Sequence, residues 1–177
     1  MESEIKMSSI VFVFGGARSG KSAFALARAS AMAGKKVYVA TAQAHDAEMT
    51  DRIDKHKRER GSQWETLEEP VLLGRAVRSV SLTHDIAIID CLTLWLSNLL
   101  AAGDSFEKAE EDFIDALRCL DHMERLFIVS NEVGMGIVPE NVLARQFRDM
   151  AGRLHQRVAG VADEVFLVAA GIPVKIK

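Results

Sequence analysis

The sequence predicts an α/β fold, with a mostly parallel β-sheet and helices on both of its faces. Short apolar runs such as 10–14 and 86–89 recur along the chain, and segments rich in helix-forming residues separate them. These runs are continuously apolar, which is typical of strands covered on both faces. With 177 residues, 49% of them hydrophobic, the chain is expected to form one domain over residues 1–177.

The predicted strands and helices alternate along the chain. Apolar runs predict strands over residues 10–14, 36–41, 64–67, 86–90, 126–129 and 165–168, with a candidate edge strand over 174–176. Helix-forming composition and helical spacing of apolar residues predict helices over 23–33, 70–81, 106–125 and 139–162, and one that begins near Leu92. Gly34 is expected to stop the first helix, and Asp46 to cap a helix after the second strand.

The connection between the first strand and the first helix is the most informative segment. It reads Gly15, Gly16, Ala17, Arg18, Ser19, Gly20, Lys21 and Ser22, which is the Walker A pattern. Glycines let backbone N–H groups fold around a phosphate, and the helix N-terminus adds its positive dipole end. Lys21 would reach the outer phosphates and the Ser22 hydroxyl would ligate Mg²⁺. The pattern predicts a P-loop NTPase-like fold; the alternative is a glycine-rich turn with a helix-capping serine.

Polar residues follow several predicted strands on the same edge of the sheet. Thr41, Asp90 and the pair Asn131–Glu132 each come just after an apolar run, and ligands of parallel sheets bind at the carboxyl ends of the strands. Asp90 fits a Walker B carboxylate that holds Mg²⁺ directly or through water. It would equally serve as the N-cap of the helix near Leu92, and the two roles are compatible.

His56 has two interpretations. On a helix after Asp46, His56 shares a face with Met49 and Ile53, which is typical of a core histidine held by a hydrogen bond. The following residues are Lys57, Arg58, Glu59 and Arg60. Cations are favoured at a helix C-terminus, but they would also hold a phosphate chain while a neutral imidazole attacks phosphorus. The residue pattern leaves both interpretations open.

Composition and charge exclude several classes of protein. The net charge of -3 gives no general attraction to nucleic acid or to anionic membranes. Cys91 and Cys119 lack metal-ligand spacing and are expected to be buried free thiols. No signal peptide or span of transmembrane length is recognisable, so a soluble protein of the cytoplasm is expected. Asn131 is not followed by the Lys-x-Asp that reads guanine in signalling GTPases.

Beyond the Walker A octet, several longer segments match one known family. They are Arg52–Lys57, Asp90–Leu100, Asn131–Glu140 and a C-terminal pattern that begins at Phe147 and ends at Lys175. From about Ile10 to the C-terminus, the chain resembles the bifunctional adenosylcobinamide kinase and adenosylcobinamide-phosphate guanylyltransferase of vitamin B12 biosynthesis. The segment Asn131–Glu140 is far more specific than the Walker A octet.

The resemblance implies two reactions. Adenosylcobinamide is phosphorylated on its aminopropanol hydroxyl by ATP or GTP, and GMP is then transferred from GTP to that phosphate through a covalent guanylyl-histidine. The resemblance implies His56 as that histidine, and a trimeric assembly. The Walker A and Walker B patterns predict Lys21 as the second catalytic residue and Ser22 and Asp90 as Mg²⁺ ligands. The implied nucleotide contacts are the Walker A octet, Ala40, Thr41, Ala42, Lys57, Arg58, Glu59, Arg60, Glu68 and Asp90.

Two alternatives compete with this interpretation. A monofunctional P-loop kinase of a small molecule would share the loop but lack a covalent histidine, and the cations after His56 argue against it. A nucleotide-gated binding or switch protein would be expected to read its base, and the missing Lys-x-Asp argues against that class. The sequence assigns no general base to the kinase step, no preference between ATP and GTP, and no corrinoid site.

Overall fold

The structure is a computed structural model that describes residues 9–43, 60–120 and 122–177. The strands in these ranges are β1 (Ser9–Gly15), β2 (Lys36–Ala40), β3 (Trp64–Glu68), β4 (Ile86–Asp90), β5 (Arg125–Asn131), β6 (Glu164–Ala169) and β7 (Ile172–Lys175). The helices are α1 (Lys21–Ser30), α2 (Leu73–Ser81), α3 (Leu92–Ala102), α4 (Phe106–Arg118) and α5 (Val142–Val161).

The seven strands form one sheet in the order β3-β2-β4-β5-β1-β6-β7. All neighbouring pairs are parallel except β6 and β7, which are antiparallel. Strand β5 therefore lies between β1 and β4, with Gly15 opposite Asn131 and Asp90 opposite Val129. The sequence-predicted α/β class with a mostly parallel sheet is confirmed.

Both faces of the sheet are covered by packed side chains. On β1, Ile10 and Phe12 point into the core shared with α2 to α5, whereas Val11 and Val13 point into the core shared with α1. All four side chains are at most 5% exposed. This two-sided burial is why the strands have continuous apolar sequences.

Two helix ends differ from the sequence prediction. Helix α4 ends at Arg118, well before residue 125, because the chain must reach the start of β5: Met123 is buried and the Glu124 N–H donates to the Asp85 carbonyl at 2.7 Å. Cys119 is exposed at this helix end, so the prediction that both cysteines are buried is wrong for it and right for Cys91.

Helix α1 ends at Ser30, earlier than predicted, and Gly34 acts in the turn that follows. Gly34 has a φ of 115°, and a Cβ there would lie 2.7 Å from Oδ2 of Asp85. That carboxylate accepts the Lys35 N–H at 2.7 Å. Gly34 is thus needed for the close approach of this turn to Asp85. Helix α1 has already ended before Gly34, which therefore does not stop the helix.

Among the described helices, α2 and α5 begin later than predicted, at Leu73 and Val142. The start of α5 is set by Asn141, whose Oδ1 accepts the Ala144 N–H at 3.0 Å. No helix in the described ranges combines the length and the apolar composition that crossing a membrane requires. The edge strand predicted near residue 174 is confirmed as β7.

The end of β1 packs directly against β6. A Cβ on Gly15 would overlap the Val168 carbonyl oxygen and lie 2.8 Å from Oγ of Ser19. Because Val168 contributes a backbone atom in the middle of the sheet, it cannot move aside without disturbing β6. The neighbouring Gly16 has open space, because a Cβ at that position would meet no heavy atom within 4 Å.

This packing predicts different effects for two neighbouring glycines. Gly15→Ala should lower the free energy of unfolding by about 1–3 kcal/mol because it overpacks backbone against backbone. Gly16→Ala should change it by less than about 0.5 kcal/mol. Urea denaturation of both variants measures the difference, and equal stabilities would contradict the tight contact at Gly15.

Candidate functional site

The phosphate loop, residues 15–22, connects β1 to α1 through left-handed backbone conformations. Gly20 is the N-cap of α1 with a φ of 95°, and Arg18 has a φ of 55°. The Ser19 N–H donates to the Gly16 carbonyl at 3.2 Å, which closes a turn inside the loop. A left-handed residue other than glycine is uncommon, and such residues concentrate where a loop is shaped around a ligand.

Lys21 and Ser22 stand at the N-terminus of α1. The Lys21 side chain is buried, and its Nζ donates to the Gly16 carbonyl at 3.2 Å. No acidic residue occupies the first turn of α1, so the unpaired N–H groups and the positive dipole end face no carboxylate on their own helix. Such a helix start, with a lysine folded over its loop, is suited to bind a phosphate.

Two backbone hydrogen bonds fix the loop between neighbouring elements. On one side the Glu132 N–H, just after β5, donates to the Gly15 carbonyl at 2.8 Å. On the other side the Gly171 N–H, in the turn between β6 and β7, donates to the Ser19 carbonyl at 2.8 Å. The loop is therefore anchored at both ends before any ligand binds, which favours preorganised recognition of phosphate.

A cavity of about 660 Å³ opens beside the phosphate loop, within the usual size range of small-molecule sites. Three segments from the carboxyl edge of the sheet contribute to it. The lining residues are Gly16, Ala17, Arg18, Ser19, Glu132, Val133, Met135, Gly136, Leu167, Val168, Ala169 and Ala170.

Asp90 ends β4 and accepts a hydrogen bond from the Tyr38 hydroxyl, with 2.7 Å between Oδ2 and the phenol oxygen. Burial, and next the charge of Asp90, raise the pKa of Tyr38 well above its ordinary value. The phenol thus stays protonated and donates to the carboxylate at all physiological pH values. The N-cap of α3 is Cys91, without a side-chain cap, so the alternative that Asp90 caps this helix is wrong.

Arg60 lies over Tyr38. Its guanidinium carbon is 3.8 Å from the ring centroid, and the side chain is 6% exposed. Trp64 packs edge-on against the same ring, with 6.4 Å between centroids. The guanidinium of the predicted contact residue Arg60 and the Tyr38 ring attract each other through a cation–π interaction. Arg60 therefore lies next to the tyrosine that holds Asp90.

Thr41 follows β2 at the same edge but its hydroxyl is engaged within the protein. Its Oγ1 donates to the Cys91 carbonyl and accepts the Cys91 N–H, both at 2.8 Å. Asn98 donates to the Thr41 carbonyl at 2.8 Å and to the Pro70 carbonyl at 3.0 Å. Thr41 is therefore fully buried, and its hydrogen bonds to Cys91 connect the end of β2 to the end of β4.

The remaining predicted contacts occupy neighbouring positions on the sheet edge. Ala40 is in register with Asp90 on one side and with Glu68 on the other. Ala40 is buried, Glu68 is exposed, and Ala42 is half-buried. The predicted contact residues of β2, β3 and β4 thus form one continuous row, while the loop at Gly15 lies beyond β5.

Two further buried polar groups lie near the loop. Asn131 donates to Oγ1 of Thr93 at 3.0 Å, which joins the end of β5 to α3. His155 pairs its Nε2 with Oγ of Ser130 at 2.7 Å, and burial lowers the pKa of this histidine, partly opposed by the charge of Glu132. His155 is accordingly neutral near pH 7 and acts as a satisfied core histidine.

Cys91 is not a nucleophile in this site. Burial is the main reason why the pKa of its thiol rises to about 11, and the charge of Lys21 opposes that rise. The thiol is therefore protonated near pH 7 and inert.

Four of the predicted site residues, His56, Lys57, Arg58 and Glu59, lie outside the described residues, as does the predicted cap Asp46. The sequence prediction missed the role of Tyr38, the only tyrosine in the chain. Its contact with Asp90 depends on the register between β2 and β4. A lone tyrosine in an otherwise apolar strand was the one available signal.

Two oxygen-bearing side chains at this edge are of the chemical kind that holds a magnesium ion. Asp90 accepts the Tyr38 hydrogen bond on Oδ2, and its Oδ1 forms no hydrogen bond within the described residues. Ser22 contributes a half-buried hydroxyl at the helix start. Mg²⁺ is usually held by one or two carboxylates together with substrate phosphates. Within the described ranges, no group of three or more His, Cys, Asp or Glu residues could hold a metal ion.

Solved structures share the fold at low sequence identity. An ATPase from the type III secretion system of pathogenic bacteria has a TM-score of 0.58 and 10% identity, and the match covers 94% of this chain and 56% of that one. The ATPase EscN from enteropathogenic E. coli has a TM-score of 0.55 and 8% identity, covering 92% and 43%. These similarities establish a P-loop NTPase-like α/β fold.

Sequence relatives match the chain over nearly its whole length. The bifunctional adenosylcobalamin biosynthesis protein CobP of Pseudomonas aeruginosa is 43% identical over 93% of this chain and 95% of its own. The CobU proteins of Salmonella typhimurium and Escherichia coli are 43% and 39% identical over 95% of this chain and 99% of their own. Residues 11–176 match the family model described as cobinamide kinase / cobinamide phosphate guanyltransferase. The chain therefore belongs to the cobinamide kinase / cobinamide phosphate guanyltransferase family.

Proposed function

We propose that this one domain catalyses both reactions implied by its family. In the first, the aminopropanol hydroxyl of adenosylcobinamide attacks the γ-phosphorus of ATP or GTP, and the nucleoside diphosphate leaves. In the second, GMP is transferred from GTP to the new phosphate. The observation that carries this proposal is the anchored phosphate loop at the sheet edge of a chain that matches, along residues 11–176, a family described by both activities.

The transfer of GMP would proceed in two displacements. A ring nitrogen of His56 attacks the α-phosphorus of GTP, an N–P bond forms, the bond to the bridging oxygen breaks, and pyrophosphate leaves. A phosphate oxygen of adenosylcobinamide phosphate then attacks the same phosphorus, which releases the imidazole and forms adenosylcobinamide-GDP. Neutral imidazole suits the first step because its ordinary pKa of about 6.5 leaves it mostly unprotonated near pH 7.

The proposed roles divide between the loop and the sheet edge. Lys21 and the loop N–H groups would bind the phosphates and stabilise the charge that develops on the leaving group. Ser22 and Asp90 would hold Mg²⁺, which, when bound, neutralises phosphate charge. Arg60, which lies over Tyr38 beside Asp90, would add a cation at the ends of β2 and β4. Lys57 and Arg58, which lie outside the described residues, are proposed as further phosphate contacts from the family resemblance.

We also propose a homo-oligomer, a trimer in view of the family resemblance, and a cytoplasmic location. The exposed apolar side chains after β5 support a protein contact. They are Met135, Ile137, Val138, Val142 and Leu143, each at least 59% exposed. These five residues lie within residues 135–143, and exposed apolar residues in numbers are typical of protein interfaces.

Replacement of the loop lysine tests the shared nucleotide site. Lys21→Ala should lower turnover in both half-reactions by at least about 10²-fold, because a preorganised cation on the phosphates is lost. Coupled assays of each step measure this, and Lys35→Ala, whose ammonium pairs with exposed Glu65 at 3.2 Å, is the control. Wild-type kinase rates in a folded Lys21→Ala protein would refute the assignment.

Replacement of Asp90 tests the metal site. Asp90→Asn should sharply raise the Mg²⁺ concentration needed for half-maximal activity, since a neutral amide is a poorer ligand. Asp115→Asn is the control, because Asp115 is an exposed carboxylate on α4 that pairs only with Arg118, at 3.1 Å, among the described residues. A magnesium titration unchanged by Asp90→Asn, with only a loss of stability, would assign Asp90 a structural role.

The covalent histidine gives the sharpest test of the whole proposal. After incubation with GTP and Mg²⁺ and denaturation, the protein should carry the mass of one GMP, and the bond should be labile in mild acid and stable in alkali. His56→Asn should abolish this label and the guanylyl transfer but keep reduced kinase activity, because the kinase step needs no imidazole nucleophile. His122→Asn, at an exposed histidine, should keep the label. Labelled His56→Asn protein would place the nucleophile elsewhere.

A further inference from the structure

Glu132 places a carboxylate beside the phosphate loop. Its backbone N–H is bonded to the Gly15 carbonyl, and its side chain lines the 660 Å³ cavity together with loop residues 16–19. Its Oε1 accepts the N–H groups of Gly134 and Met135, the latter at 3.0 Å. Within the described residues, Oε2 accepts no hydrogen bond. One oxygen of Glu132 is therefore fixed in place, and the other is available to a ligand in the cavity.

The charge of Glu132 has no partner in the described part of the chain. No described lysine or arginine lies within ion-pair distance of it, and the nearby His155 is neutral and bonded to Ser130. Capping the Gly134 and Met135 N–H groups requires one acceptor oxygen, which a neutral amide would supply equally well. A carboxylate next to a bound polyphosphate disfavours nucleotide binding by charge repulsion. A useful role for the negative charge of Glu132 is therefore expected in the chemical step and not in nucleotide binding.

The other carboxylates on this edge are poorer candidates for contact with the loop cavity. Asp90 already accepts the Tyr38 hydroxyl and ends β4, which β5 separates from the strand that carries the loop. Glu68 is exposed on β3, the outermost strand on that side of the sheet. Glu132 alone among these three is hydrogen-bonded through its backbone to the loop itself.

The cavity next to Glu132 combines phosphate-loop residues with apolar residues, as a site for an alcohol substrate requires. Phosphate-loop residues line one side of the cavity, and the exposed apolar residues Val133 and Met135 line another. An uncharged alkyl group carrying a hydroxyl could contact the apolar wall while its oxygen approaches a phosphate held in the loop.

We propose that Glu132 is the general base of the kinase step. Its Oε2 accepts the proton of the acceptor hydroxyl while the hydroxyl oxygen forms a bond to the γ-phosphorus and the bond from that phosphorus to the bridging oxygen breaks. The nucleoside diphosphate leaves, and the proton remains on Glu132 until solvent removes it. This inference rests on the proposed kinase activity and identifies the residue that serves its acceptor.

The test is Glu132→Gln in the full-length protein, which keeps the Oε1 acceptor for the loop N–H groups and removes the base. The kinase kcat with adenosylcobinamide, ATP and Mg²⁺ should fall by about 10²-fold or more. The KM for ATP should stay the same or decrease, because a negative charge beside the phosphates is gone. The GMP label from GTP should form to the wild-type extent, since imidazole needs no base to attack, and this label also reports that the variant is folded.

Two further variants separate the base from the loop cap. Glu140→Gln, at an exposed carboxylate on the same connection, should retain wild-type kinase activity. Wild-type kinase kcat in Glu132→Gln, together with a loss in Glu132→Ala, would assign Glu132 to loop capping and overturn the inference. Equal loss of kinase activity and GMP label in Glu132→Gln would overturn it as well. A wild-type protein that does not phosphorylate adenosylcobinamide would instead refute the proposed function.

Discussion

The site depends first on the close contact between Gly15 and the Val168 carbonyl. It allows β1 and β6 to converge where the phosphate loop begins, and no side chain fits between them. The Glu132 and Gly171 N–H groups then bond the loop to β5 and to the turn after β6. Because these anchors are backbone atoms at or next to the ends of β5 and β6, the position of the loop depends on strand pairing. The buried Lys21 at the start of α1 follows that position.

A second set of polar contacts keeps the far side of the edge rigid. Thr41 ties β2 to Cys91, Asn98 ties the Thr41 and Pro70 carbonyls to α3, and Asn131 ties β5 to Thr93 on α3. Each of these groups is buried or half-buried and hydrogen-bonded, as buried polar groups must be to avoid a desolvation penalty. The polar residues that the sequence places at this edge therefore include structural ties as well as candidate ligand contacts, and Thr41 belongs to the first kind.

The sequence was sufficient for those features that local physics determines. Continuous apolar runs predicted the parallel strands, and the Walker A octet predicted a strand–loop–helix unit, because both patterns depend on neighbouring residues alone. The end of α4 could not be predicted, because the chain must turn back to Asp85, a distant residue whose carbonyl accepts the Glu124 N–H just before β5. The bond from Tyr38 to Asp90 could not be predicted either, because it depends on the register between β2 and β4. The position of Glu132 beside the phosphate loop likewise depends on the pairing of β5 with β1. Whether His56 is a core or a catalytic histidine is likewise a question of tertiary contacts, and it stays a prediction.

The two carboxylates at this edge illustrate how environment divides similar groups between different tasks. The phenol of Tyr38, protonated throughout the physiological range, holds Asp90 by one oxygen, and Arg60 over the ring adds positive charge nearby. The hydrogen bond fixes one oxygen of Asp90 and leaves the other without a hydrogen bond in the described residues, which suits the proposed metal ligand. Glu132 is held through Oε1 by two backbone N–H groups, which leaves its Oε2 free of hydrogen bonds within the described residues. In the proposed function, residues at the ends of β2 and β4 bind the metal and the phosphate charge, and Glu132 after β5 accepts the proton. The phosphate loop follows β1, the strand next to β5, and takes part in both reactions.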